Sequence, residues 1–191
     1  MQDTLLRPLA AWESFYVIVG SAAGALTGLQ FVVLAFVTDR VRLIRQDTLD
    51  TFTTPSIVHF SVVLLTACIL SAPWPTMHAV GIVLALSGIG GVVYTLIVAR
   101  RASRVDGYVL VFEDWVWHVG LPLLAYVMEF ASAVVMLRYM STALFVVAGT
   151  MLMLLFIGIH AAWDTVTYVA TEFAQKEARD QKPPRSSADG P

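Results

Sequence analysis

The stretch SFYVIVGSAAGALTGLQFVVLAFVT, residues 14–38, contains no Asp, Glu, Lys, Arg or His, and its reading decides the class of fold. An α-helix rises about 1.5 Å per residue, so roughly 20 residues cross a hydrocarbon layer about 30 Å thick. The run is long enough to do so. Ala23-Gly24-Ala25 resembles a signal-peptide cleavage site, but no basic segment precedes the run and it continues past that site to Asp39-Arg40. The stretch therefore reads as a retained transmembrane helix.

Composition extends that reading to the whole chain. Its 191 residues are 58% hydrophobic and 14% charged, with a mean hydropathy of +0.74, far from the balance of an ordinary soluble domain. The net charge is -2 and no lysine precedes Lys176. Nucleic-acid binding needs a clustered basic face, so no nucleic-acid partner is expected and the lipid bilayer is the expected surrounding. Cys68 is the one cysteine, which excludes an intrachain disulfide and a cysteine-rich metal site.

Four further apolar runs, at residues 55–72, 77–99, 116–137 and 141–162, predict an all-α membrane protein, a five-helix transmembrane bundle occupying residues 1–173. Thr54-Pro55 reads as an N-cap and first helical residue, and Pro73-Trp74-Pro75-Thr76 as a turn. The last helix is expected to fray near Phe173. The polar, Pro-containing residues 174–191 read as a disordered cytoplasmic tail. Arginines 40, 42 and 45 in the first connection, 100, 101 and 104 in the third, and the basic tail contrast with an uncharged second connection and Arg138 alone in the fourth. The positive-inside rule then gives an amino terminus outside and a carboxyl terminus inside. Trp12 and Trp74 fall at the outer boundary and Trp115, Trp117 and Trp163 at the inner one, as an aromatic belt requires.

Lipid offers no hydrophobic drive for helix association, so small residues that let backbones touch carry the packing information. Gly20, Gly24 and Gly28 repeat every four residues on the first run, a strip suited to packing within the bundle or to a homo-oligomer. Gly81, Ala85, Gly88 and Gly91 form a looser small-residue surface on the third.

The ionisable residues cluster by depth. Helical rise puts Gln30 roughly 10 to 12 Å inside the cytoplasmic boundary, His59 roughly 6 Å, and His118 and His160 roughly 3 Å. Asp114 and Asp164 lie at the boundary itself. About Tyr139, the centre of the last hairpin, Asp114 mirrors Asp164 and His118 mirrors His160. Equal distance from the turn means equal depth, and a spacing of four keeps each Asp and His on one helical face. Pro122 frees the carbonyl of His118 at the same level.

Three readings of Asp114, His118, His160 and Asp164 follow: hydrogen-bonded pairs that fix the hairpin register, a divalent metal site, or a proton or ion relay. Haem does not fit between two histidines level on adjacent helices. Glu129, deeper and toward the outer side, reads as a hydrogen-bonded carboxyl or the outer station of a relay. Gln30 and His59 read as interhelical hydrogen-bonding residues.

AAGALTGLQFVVLAF from Ala22, EDWVWHVGLPLLAY from Glu113 and IGIHAAWDTVTY from Ile157 resemble a group of short bacterial integral membrane proteins of unassigned function. Ala161 stands where that pattern has asparagine. The resemblance implies a bacterial cytoplasmic (inner) membrane and supplies no activity. No Gly-rich phosphate loop, G-x-S-x-G, H-E-x-x-H or CxxC occurs, so no catalytic residue is assigned. The expected function is a non-enzymatic scaffold or interaction module. The alternatives are a small ion- or proton-translocating or metal-binding protein, and a cytoplasm-facing metal-assisted enzyme.

Overall fold

The computed structural model describes residues 9–41, 46–102 and 115–180, which are helical apart from short turns. Among the described residues five α-helices run in order: α1 Glu13–Val41, α2 Gln46–Ser71, α3 Met77–Ala102, α4 Leu121–Val135 and α5 Met140–Asp180. A π-helical turn, Val116–Gly120, leads into α4. Four stretches are long and apolar enough to cross a membrane: Glu13–Ala35, Met77–Arg101, Val116–Val135 and Met140–Thr167. The apolar part of α2, Pro55–Ser71, is shorter. That helix begins at Gln46 rather than at the Thr54-Pro55 signal, and carries Pro55 in its interior. At the other end of the chain α5 continues past Phe173 to Asp180.

The helices are arranged side by side in the order α1, α2, α5, α4, α3, with α5 between α2 and α4. Glycines set the close approaches. A Cβ on Gly20 would come within 2.7 Å of the Ala67 Cβ, so α1 meets α2 there. Gly24 faces Leu64 at an ordinary 3.9 Å and Gly28 has nothing within 4 Å, so of the expected strip only Gly20 is a tight contact. The α3–α4 seam is tighter than its sequence implies. A Cβ on Gly88 would come within 2.8 Å of the Phe130 backbone nitrogen and one on Gly81 within 3.3 Å of the Ala133 carbonyl, while Gly91 lies under the Tyr126 ring. The partners descend as the glycines ascend, so the two helices are antiparallel. Gly158 of α5 seats the Phe60 ring of α2.

Two short turns close one end of the bundle. Between α2 and α3 the Trp74 indole N–H donates to the Ile69 carbonyl at 2.5 Å, satisfying one of the acceptors left at the end of α2. Between α4 and α5, Tyr139 N–H donates to the Val135 carbonyl at 2.9 Å. At the opposite end α1 and α3 finish and α2 and α4 begin, with Arg100 and Arg101 in the last turn of α3. These are the turn end and the arginine end of the molecule.

Polarity is reversed relative to a water-soluble bundle. Large apolar side chains point outward, with Ile18 68%, Leu86 63%, Phe145 65% and Phe156 64% exposed, while Gln30, Ser56, His59, Thr66, Glu129 and Thr150 are buried. Such a surface is stable only against an apolar medium, and such an interior only if its polar atoms find partners.

Candidate functional site

The buried polar groups find partners between helices that barely touch. α2 and α4 are held apart by α5 on one side, and long side chains fill the space between them. His59 Nδ1 and the Tyr126 hydroxyl share a hydrogen bond of 2.9 Å, its direction fixed by the histidine tautomer. Further toward the turn end, the Thr66 hydroxyl donates to Glu129 Oε1 at 2.9 Å. His59 and Thr66 are seven residues apart on one face of α2, and Tyr126 and Glu129 three apart on one face of α4. Helical geometry therefore stacks the two bonds as rungs.

α3 supplies the third wall. Tyr94 meets the His59 ring edge to face with centroids 6.4 Å apart. Ser87, also seven residues away on the same helix, brings its hydroxyl close to Glu129 without a well-directed hydrogen bond. The Tyr126 ring rests on Gly91, whose missing side chain makes room for it. The small residues of α3 thus position the aromatic group of the site.

Glu129 is only 1% exposed, and its Oε2 has no hydrogen-bond partner. The hydroxyls of Ser87 and Tyr94 are buried in the same condition. Leaving a buried polar atom unpaired costs about 1–3 kcal/mol, more for a charged group. The neighbouring Ser132 does not relieve this, because its hydroxyl is spent on the Glu129 backbone carbonyl at 2.7 Å.

Nearer the arginine end, Gln30 of α1 donates to the Ser56 hydroxyl of α2 at 3.1 Å. His118 lies in the π-turn, half-buried and within electrostatic range of His59. The turn has a local cause. Pro122 has no N–H to continue the α-helical ladder, and the chain accommodates it with a wider turn in which Leu121 N–H bonds the Val116 carbonyl. The extra residue turns Trp117 onto α5, where it stacks on His160 with centroids 4.0 Å apart. His160 in turn pairs with Asp164 of its own helix at 3.3 Å.

Asp114 lies outside the described residues. Of the other three members of the expected four-residue set, the structure joins His160 to Asp164 and places His118 toward His59. Among the described residues no three His, Cys, Asp or Glu side chains come together as metal ligands would. Glu129, His59 and Gln30 each make an interhelical hydrogen bond. Tyr126, Thr66, Tyr94 and Ser87 complete the site and were not singled out by sequence reading. Helical spacing is the signal that identifies them: Ser87 and Tyr94 are seven apart, Thr66 is seven from His59 and Tyr126 three from Glu129, each on one face of its helix.

Comparison with protein-family models, with curated proteins and with solved structures returns no match for the chain.

Proposed function

We propose that this chain is a five-span protein of the bacterial cytoplasmic membrane, amino terminus outside and carboxyl terminus inside, that moves protons through the polar file centred on Glu129. The observation that carries the reading is the fully enclosed carboxyl of Glu129, whose Oε2 has the Ser87 hydroxyl near it but no well-directed hydrogen bond. A scaffold gains nothing from such an atom, and an apolar side chain of similar shape would remove its cost. An ionisable group kept inside a membrane bundle is a mark of ion or proton pathways.

The surrounding residues fit that task. Imidazole accepts a proton on one ring nitrogen while releasing one from the other, and a phenol accepts and donates through one oxygen. A proton reaching His59 thus displaces another through the Tyr126 hydroxyl toward Glu129. The last gap, from Tyr126 to Glu129, is about one helical turn, a distance that one water molecule can span.

Five crossings require α2 to span despite its shorter apolar part. The whole helix has 26 residues, and its polar side chains Ser56, His59 and Thr66 are enclosed by neighbours rather than presented to lipid. Arginine asymmetry and tryptophan placement support the orientation. Reporter fusions after Met140 and after Lys176 are expected to report opposite compartments; the same compartment for both excludes this topology.

In liposomes under an imposed pH gradient, the purified protein is expected to dissipate the gradient faster than empty vesicles. Glu129→Gln, which keeps shape and hydrogen-bonding capacity but cannot ionise, is expected to return the rate to that of empty vesicles. Equal rates for the two proteins, with both folded, defeat the reading.

A further inference from the structure

Glu129 divides the interior into two unlike halves. Toward the arginine end the buried groups include a polar series in register: Tyr126, His59 in hydrogen bond with it, Tyr94 against the His59 ring, and the half-buried His118 beyond. Toward the turn end, Leu70, Val80, Leu84, Ala133, Met136 and Leu144 are all buried. The hydroxyls in that half are committed or off the line. Ser132 bonds the Glu129 carbonyl and Thr150 the Val147 carbonyl, each within its own helix. Tyr16, whose hydroxyl is buried without a partner, belongs to α1, which flanks α2 and α5 rather than α3 and α4.

From these two halves we infer that Glu129 in this conformation is a proton site reached only from the arginine end, the apolar layer between it and the turns forming a closed gate. The inference rests on the reading of Glu129 as a proton-carrying group. A proton needs a continuous series of groups that both accept and donate, and the hydrocarbon side chains of that layer do neither. Six buried apolar side chains packed without polar atoms also exclude the water that would otherwise complete a path.

The ligand is a proton rather than a metal cation. Hard cations take six or more oxygens. Glu129 offers its carboxylate, with the hydroxyls of Thr66 and Ser87 beside it, and among the described residues no metal-ligand cluster forms around it. The titratable or polar groups that face it are His59 and Thr66 from α2, Ser87 and Tyr94 from α3 and Tyr126 from α4. His118 stands behind His59, and Arg101 lies within electrostatic range of Tyr94. The buried positions of α5 at this level, Val147, Ala148, Thr150 and Met151, hold no titratable group.

The test is sided infrared spectroscopy on full-length protein reconstituted with its carboxyl-terminal tail outward. The carbonyl stretch of the protonated carboxyl is assigned as the band lost in Glu129→Gln, and lumenal pH is followed with an entrapped dye. A pH jump outside, at the arginine end, is expected to change the band within the mixing time. A jump inside, at the turn end, is expected to change it no faster than the protein's own turnover dissipates the gradient, far behind the response to the outer jump. In His59→Leu the response to the outer jump is expected to slow by ~100-fold, the lower range for loss of a positioned proton-transfer group.

A band that follows the turn-end pH directly overturns the one-sided access while leaving Glu129 as a proton site. A His59→Leu response as fast as wild type overturns the assigned route. A band that never responds to pH on either side overturns this inference together with the proposed function. The sidedness is read on the wild-type protein, so it does not depend on the folding of any variant.

Discussion

Gly91→Ala is expected to destabilise the detergent-solubilised bundle by about 1–3 kcal/mol, the range for forcing extra volume into a filled interior. The added methyl would overlap three atoms of the Tyr126 ring, and that ring is fully buried, so it has no open space into which to retreat. Any movement of the ring also strains its hydrogen bond to His59. The same substitution one residue earlier is the control. Gly90 has nothing within 4 Å of where its Cβ would lie, and Gly90→Ala gains helix propensity worth up to about 1 kcal/mol. Thermal unfolding followed by circular dichroism separates the two, and equal melting temperatures for both variants contradict the described α3–α4 seam.

The second large effect concerns the Thr66–Glu129 rung. Thr66→Val preserves shape but strips the donor from Glu129 Oε1, leaving neither carboxyl oxygen with a well-formed hydrogen bond. The expected loss is about 1–3 kcal/mol, above the ~0.6 kcal/mol average for interhelical hydrogen bonds in membranes, because the nearby Ser87 hydroxyl is not well directed toward the carboxyl. Thr66→Val combined with Glu129→Met replaces both partners with apolar groups of similar volume, which is often close to neutral. The double variant is therefore expected to be more stable than Thr66→Val alone while having no proton flux. Additive losses in the double variant show that the two residues are not coupled.

What the sequence makes legible here is depth, and what it leaves hidden is azimuth. Uncharged runs locate the helices because lipid tolerates few alternatives, and distance from a turn puts His59, His118 and Glu129 at their levels. Which way each side chain points depends on the helical phase, and that phase shifts wherever the ladder is interrupted. Pro122 is visible in the sequence, yet its accommodation by a π-turn is not. One extra residue in a turn brings Trp117, instead of a second histidine, onto His160. The glycines show the same limit. Gly20, Gly24 and Gly28 are equivalent as a pattern, but antiparallel α2 opposes only Gly20 with a close atom. Tyr126 and Thr66 pass as ordinary apolar-run residues until their partners on other helices are known.

The order in which the helices lie against one another governs how the molecule is made. α5, the last of the described helices to leave the ribosome, is the one that separates and contacts both α2 and α4. While the chain is being synthesised, α1 with α2 and α3 with α4 can pair as inserted hairpin-like units, since each shares a seam of its own. The bonds from His59 to Tyr126 and from Thr66 to Glu129 join one unit to the other. Both bonds lie beside α5, so a ribosome that stops before Met140 leaves α2 and α4 without the helix that lies between them. Assembly of the polar site therefore follows synthesis of α5, and a membrane protease that recognises exposed polar groups can act on the chain until that helix has entered the bilayer.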